Sequence, residues 1–189
     1  MPSQKIVIVI GSPSDMPFAH RITDFLQNNR FPVKHEFRID SAHRNPQKLL
    51  SDLQTYEKTQ DLIVFITIAG MSDALSGMVA GSTTNPTIAC PPDLTSNKWE
   101  KAYSTFATPK GVAVTLSYEP ENAALAAVKI LAHTNPQLRQ ALQKYMTDMK
   151  DSIKKLDANL QKKESHELER EHVERVSHVE HGEHLEEPK

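Results

Sequence analysis

Ser41-Ala42-His43-Arg44 places a hydroxyl, an imidazole and a fixed cation within four residues, directly ahead of Asn45-Pro46. Asn is a favoured helix N-cap and Pro suits the first helical position, so a helix is predicted to begin where the polar cluster ends. Unpaired N–H groups and the positive end of the helix dipole favour an anion there, and Arg44 can grip a phosphate through two parallel hydrogen bonds. His43 can move a proton beside that anion, because an imidazole titrates near neutrality. The same four residues also suit a polar surface turn, so their context has to decide.

That context comes from the elements on either side. Lys5 to Ile10 (KIVIVI) reads as a strand buried on both faces of a parallel sheet, followed by the loop Gly11-Ser12-Pro13-Ser14-Asp15. A helix is predicted from about Asp15 to Asn28, with Phe18, Ile22, Phe25 and Leu26 on one face, and a second strand from Phe31 to Ile39. The next helix, Pro46 to about Glu57, carries Leu49, Leu50, Leu53 and Tyr56 at helical spacing. Leu62 to Ile68 (LIVFITI) is the third strand; Ala69-Gly70 ends it, and Met71 to Val79 starts another helix-like segment with Ser72 as candidate cap. Thr87 to Cys90 and Gly111 to Leu116 are predicted as strands four and five, and Glu121 to Ala132 as an Ala-rich helix.

Strands and helices alternating at these lengths predict βαβ units, hence an α/β fold: a three-layer parallel sheet of flavodoxin or Rossmann-like type. Right-handed crossovers put the C-terminal ends of all strands on one edge. Gly11 to Asp15, Ser41 to Arg44 and Gly70 to Ser72 each follow a strand, so three segments remote in sequence are expected to converge on one crevice.

The whole chain sets bounds on function. It has 189 residues, 38% of them hydrophobic, which suits one domain with a real core plus an appendage. A net charge of −2 gives no sign of a nucleic-acid partner, so an anion site must come from local placement. No run approaches a membrane span, and MPSQKIVIVIG leads into a strand rather than a signal peptide, which points to the cytoplasm. The single Cys90 excludes an intrachain disulfide; it reads as a buried strand-end thiol, with a catalytic cysteine as the sharper alternative.

After Asn135-Pro136 the pattern changes. Leu138, Leu142, Tyr145, Met149, Ile153, Leu156 and Leu160 recur in steps of four and three, a narrow apolar stripe on a helix of about seven turns. Such a stripe packs either on its own domain or on a neighbouring subunit, and the neighbour is favoured. From Lys162 the chain is charged and holds five of the nine histidines; His178, His181 and His184 form a conceivable weak metal site, though a solvated tail is the simpler reading.

Together, Gly11-Ser12-x-Ser14-Asp15, Ser41-Ala42-His43-Arg44 and Ala69-Gly70-Met71-Ser72 resemble the three signature loops of the PurE family over about residues 5 to 160. Members carboxylate 5-aminoimidazole ribonucleotide in purine biosynthesis. The third loop, running to Leu75-Ser76-Gly77, is closer to the A-G-R-S-N-A-L-S-G of second-class members, which use carbon dioxide directly, than to the His-containing loop of first-class mutases. Cys90-Pro91-Pro92, Pro109 to Val112, Glu119 to Ala124 and the long C-terminal helix are also similar to second-class sequence. Two residues depart from it: Met71 where those members usually have Arg, and Asp73 where they have Asn, so a cation is replaced in the carboxyl pocket and a negative charge is expected to be added.

The resemblance implies a catalytic domain over 1–161, including the helix from about 136, and substrate binding by Gly11, Ser12, Ser14, Asp15, Ser41, Ala42, Arg44, Ala69, Gly70, Met71, Ser72 and Leu75. Residues 162–189 are then a flexible charged tail. Ser12, Ser41 and Arg44 suit the phosphate, Asp15 the ribose hydroxyls, and Gly70 and Ser72 the ring and carboxyl side. His43 is the catalytic candidate, moving the proton at the ring carbon. No organic cofactor and no metal is expected; the implied partners are the small-molecule substrates, with no nucleic acid and no membrane, in a homo-octamer. The alternatives are an N5-carboxyaminoimidazole ribonucleotide mutase, a related carboxylase of another nucleotide such as a pyridine-type substrate, and a non-catalytic nucleotide-binding scaffold. His20, His35 and His133 are read as structural or surface residues.

Overall fold

The computed structural model describes residues 3–92 and 99–180. Five parallel strands, β1 (Gln4–Ile10), β2 (Lys34–Ile39), β3 (Leu62–Ile68), β4 (Thr87–Ala89) and β5 (Thr115–Leu116), lie in the order β2-β1-β3-β4-β5. Six helices alternate with and follow them: α1 (Met16–Asn28), α2 (Pro46–Glu57), α3 (Ala74–Ser82), α4 (Trp99–Phe106), α5 (Pro120–Leu131) and α6 (Pro136–Glu180). This is the flavodoxin-like arrangement, with its topological switch between β1 and β3.

β1 and β3 are central and register residue by residue, with Ile6 opposite Val64 and Ile10 opposite Ile68. Both faces of these strands are covered, which is why KIVIVI and LIVFITI are continuous apolar runs rather than alternating ones. α1 and α5 pack together on one side, while Leu49, Leu53 and Tyr56 of α2 and Leu75 and Val79 of α3 close over Val7, Val9, Ile63 and Phe65 on the other. Ala123, Ala124 and Ala127 of α5 are wholly buried, so small side chains let that helix approach the sheet closely.

Several boundaries differ from expectation. β2 starts at Lys34, because Arg30 takes a positive φ of 54° and Phe31 folds into the core before the strand begins. β5 is only Thr115–Leu116. α4, on a stretch that the sequence pattern leaves unassigned, lies between β4 and β5. Asp73, not Ser72, caps α3: its side chain accepts from the Ser76 N–H.

The chain divides into two compact units, Met1–Gln143 and Lys144–Lys189. In the first, Leu138 at the start of α6 is fully buried and Asn135 Oδ1 caps the helix by accepting from the Leu138 N–H at 3.0 Å. In the second, Met149, Ile153, Leu156 and Leu160 are exposed. The helix continues to Glu180, through much of the charged segment set apart above as a tail, so 162–180 is helical. His181 and His184 of the candidate metal trio lie outside the described residues. Among the described residues, no helix is long and apolar enough to cross a membrane, and no group of three or more His, Cys, Asp or Glu is placed to hold a metal ion.

Candidate active site

The three polar loops meet at the C-terminal edge of β1, β2 and β3. Gly11 N–H donates to the Ile68 carbonyl at 2.8 Å and Asp40 N–H to the Ile10 carbonyl at 3.0 Å, so the ladder extends just past the strand ends and fixes where the loops leave. The cavity between them has a volume of about 720 Å³, within the usual range of small-molecule pockets.

In the first loop, Ser12 caps a 3-10 turn over Pro13–Asp15; its Oγ accepts from Ser14 Oγ at 2.9 Å and the Asp15 N–H donates to its carbonyl at 3.0 Å. This turn points Asp15 inward, where it is nine-tenths buried and lies against Gly70. A Cβ on residue 70 would sit 3.1 Å from Asp15 Oδ1 and 3.5 Å from Pro92 Cγ, so the glycine is what lets the first and third loops approach.

In the second loop, Ser41 Oγ accepts from both the backbone N–H and the Nε–H of Arg44, each at 3.2 Å. Arg44 Nη2–H reaches the Gly11 carbonyl at 2.7 Å, tying this loop to the first. Beneath the loop, the buried Asp40 carboxylate pairs with Lys48 of α2, which also donates to Asp52 at 2.8 Å. Asn45 Oδ1 accepts from the Lys48 N–H at 3.2 Å and caps α2, as its sequence position predicts. His43 is exposed on the cavity wall.

In the third loop, Met71 is 73% exposed and Ser72 is exposed beside it, while Leu75 is buried beneath the cavity. Asp73 does not line the cavity. It is 3% exposed and turned toward α4, where Thr105 Oγ1 donates to it at 2.6 Å. The negative charge expected at the carboxyl pocket is therefore spent elsewhere, in a buried set of hydroxyl and amide donors.

All thirteen residues named from sequence, Gly11, Ser12, Ser14, Asp15, Ser41, Ala42, His43, Arg44, Ala69, Gly70, Met71, Ser72 and Leu75, border this one cavity. Pro17, Phe18 and Pro92 border it too and were not foreseen. Pro92 follows β4, so the rule used for the loops after β1, β2 and β3, extended by one strand, would have found it. Cys90 is fully buried at the end of β4, where burial first and then the charges of Glu119 and Glu121 push its thiol up to about 12. It is the strand-end thiol of the simpler reading. His20 packs edge-on against Phe37 at 5.4 Å, away from the cavity.

Known proteins are similar to this chain over most of its length. The family model described as AIR carboxylase matches residues 5–152. A phosphoribosylaminoimidazole carboxylase of Archaeoglobus fulgidus is 38% identical over 82% of this chain and 84% of its own. An N5-carboxyaminoimidazole ribonucleotide mutase of Methanocaldococcus jannaschii is 35% identical over 78% of this chain and 92% of its own. The crystal structure of Treponema denticola PurE superposes with a TM-score of 0.79 at 36% identity, covering 83% of this chain and 98% of that one. Matched by the family model and by these relatives over most of its length, this chain belongs to the AIR carboxylase, or PurE, family.

Proposed function

We propose that the protein carboxylates 5-aminoimidazole ribonucleotide at its imidazole ring carbon, forming the 4-carboxy nucleotide of purine biosynthesis, with carbon dioxide as the direct donor. The observation that carries this is the meeting of G-S-x-S-D, S-A-H-R and A-G-M-S on one cavity in a member of this family.

The residues divide the work by chemical type. Ser12, Ser41 and Arg44 hold the phosphate, and Asp15 takes the ribose hydroxyls. The ring amine pushes electrons toward the neighbouring carbon, which attacks the carbon of carbon dioxide; one C–O π pair moves onto oxygen as the C–C bond forms. The ring carbon then bears both hydrogen and carboxylate. His43 removes that proton, the C–H pair restores aromaticity, and the reverse reaction returns the proton.

Among the described cavity-lining residues Arg44 is the one Lys or Arg, and it is bound to Gly11 and Ser41 in the first two loops. The Met71 side of the cavity thus offers no Lys or Arg to pair with a carboxylate, which suits a neutral donor better than a carboxylate carried on the nucleotide. The fitting assay supplies 5-aminoimidazole ribonucleotide with bicarbonate, and separately the N5-carboxylated nucleotide. Turnover with the first and none with the second is expected; turnover with neither, in folded protein, refutes the assignment.

The assembly is a homo-octamer in the cytoplasm. The exposed stripe of Met149, Ile153, Leu156 and Leu160 supports self-association, being an apolar helix face of the kind that subunits cover. Light scattering that finds a monomer refutes that part.

A further inference from the structure

We infer that Asp73 is a positioning residue for the reaction: through its buried contacts with α3 and α4 it holds Met71 and Ser72 in place at the carboxyl side of the cavity. The inference rests on the functional reading above for the role of that side, and on the following geometry for the rest.

The carboxylate of Asp73 accepts three hydrogen bonds, from the Ser76 N–H at 3.0 Å, from Ser76 Oγ at 2.6 Å and from Thr105 Oγ1 at 2.6 Å. Its own backbone N–H donates to Ser104 Oγ at 2.9 Å. Asp73, Ser76 and Thr105 are 3%, 0% and 3% exposed, so the charge is taken out of water and these donors replace its hydration. A buried carboxylate satisfied in this way has few alternative positions, because leaving the donors strands both charge and hydroxyls.

The consequence falls on the three residues before it. Gly70, Met71 and Ser72 span the gap between Ala69, at the end of β3, and Asp73, and all three line the cavity. One end of the loop is fixed by the sheet and by the close approach of Gly70 to Asp15 and Pro92; the other end is fixed by Asp73. Met71 and Ser72 are exposed, so no packing of their own side chains in the core can hold them. Ser104 and Thr105 do not border the cavity, yet they anchor the residue that ends the loop. α4 therefore bears on catalysis through Asp73.

The test uses the full chain and three variants. Thr105→Val removes one donor with little change of shape and far from substrate; Asp73→Ala removes the whole set; Asp73→Asn keeps an acceptor for the Ser76 N–H and an amide that the two hydroxyls can meet. For Thr105→Val and Asp73→Ala the expected result is a fall in kcat of about tenfold, with a raised KM for carbon dioxide and a nucleotide KM within about twofold of wild type, since misplacement far from the chemistry acts on positioning. Asp73→Asn should stay within about threefold of wild type in all three constants. Independently of turnover, amide exchange at residues 71–76 should quicken about tenfold in Thr105→Val while residues 11–15 and 41–44 keep wild-type rates, one hydrogen bond having been lost. If exchange at 71–76 is unchanged, or if nucleotide KM rises in step with the fall in kcat, Asp73 has no selective hold on the loop and the inference is wrong. Should Asp73→Ala not fold, Thr105→Val decides alone. Should the wild type not turn over, the functional reading fails and the exchange measurement still decides the role of Asp73.

Discussion

Replacing Arg44 with Ala separates the phosphate site from the chemistry. A guanidinium carries five N–H donors, and in this structure one goes to the Gly11 carbonyl and one to Ser41 Oγ, which leaves three for a ligand. Arg44 can hence tether two loops and hold a phosphate at the same time. Each charge-assisted hydrogen bond contributes about 1.5 to 3 kcal/mol, and an exposed site stands at the low end or below it. Two lost phosphate bonds then cost about 2 to 4 kcal/mol, or about 30- to 1,000-fold in nucleotide affinity. The tether itself is exposed and adds under about 1 kcal/mol to folding, so the variant should stay folded. kcat should remain within about threefold, because the phosphate end makes no contact that grows during carbon–carbon bond formation. The assay is nucleotide titration by calorimetry alongside steady-state kinetics, at two salt concentrations; the wild type should lose affinity with salt more steeply than Arg44→Ala. Arg44→Lys should recover part of the loss, since it restores charge but not the fork. Nucleotide affinity within threefold of wild type in Arg44→Ala, or a tenfold fall in kcat at unchanged KM, would refute this division of roles.

His43→Asn should lower kcat by about 10² to 10⁴ while nucleotide affinity changes little, and a wild-type kcat would remove His43 from the proton transfer. Cys90, its thiol pushed up to about 12, should resist a disulfide reagent at pH 8 in the native protein and react at once in denaturant; rapid native labelling would contradict its burial. The sign follows from linkage: the raised value favours the folded state below the ordinary thiol range, and that contribution is lost as pH rises from about 8.5 toward the folded value. Ile153→Glu with Leu156→Glu should reduce the mass seen by light scattering without loss of helix, and an unchanged mass would show that the exposed stripe does not join subunits.

The fold was legible because its decisive strands declare themselves. KIVIVI and LIVFITI are apolar throughout, as only strands covered on both faces need to be, and in a parallel sheet every following loop lies on the same edge. The meeting of Gly11, Ser41 and Gly70 around one cavity follows from that rule together with the loop sequences. Less legible was the extent of α6. The change of composition at Lys162 looks like the end of a structured region, yet Glu, Lys, Arg and Leu are good helix formers, and a helix can outlast the apolar stripe that prompted its prediction.

The sequence by itself determined that the three polar loops reach one cavity, since strand ends are local features and parallel crossovers put them on one edge, whereas Pro17, Phe18 and Pro92 joined the lining only in the structure. What only the tertiary structure decided is how each of those residues is employed. Ser72 and Asp73 both make plausible helix caps, one residue apart, and no local pattern separates them. Thr105 and Ser104, some thirty residues downstream, select Asp73 and turn its charge away from substrate, Thr105 Oγ1 by donating to its carboxylate and Ser104 Oγ by accepting from its backbone N–H. Arg44 likewise reads from sequence as a phosphate ligand alone, and only the approach of Gly11 across the strand edge makes it a tether as well. In both cases the deciding partner is distant in the chain, so its geometry exists only once the sheet has formed.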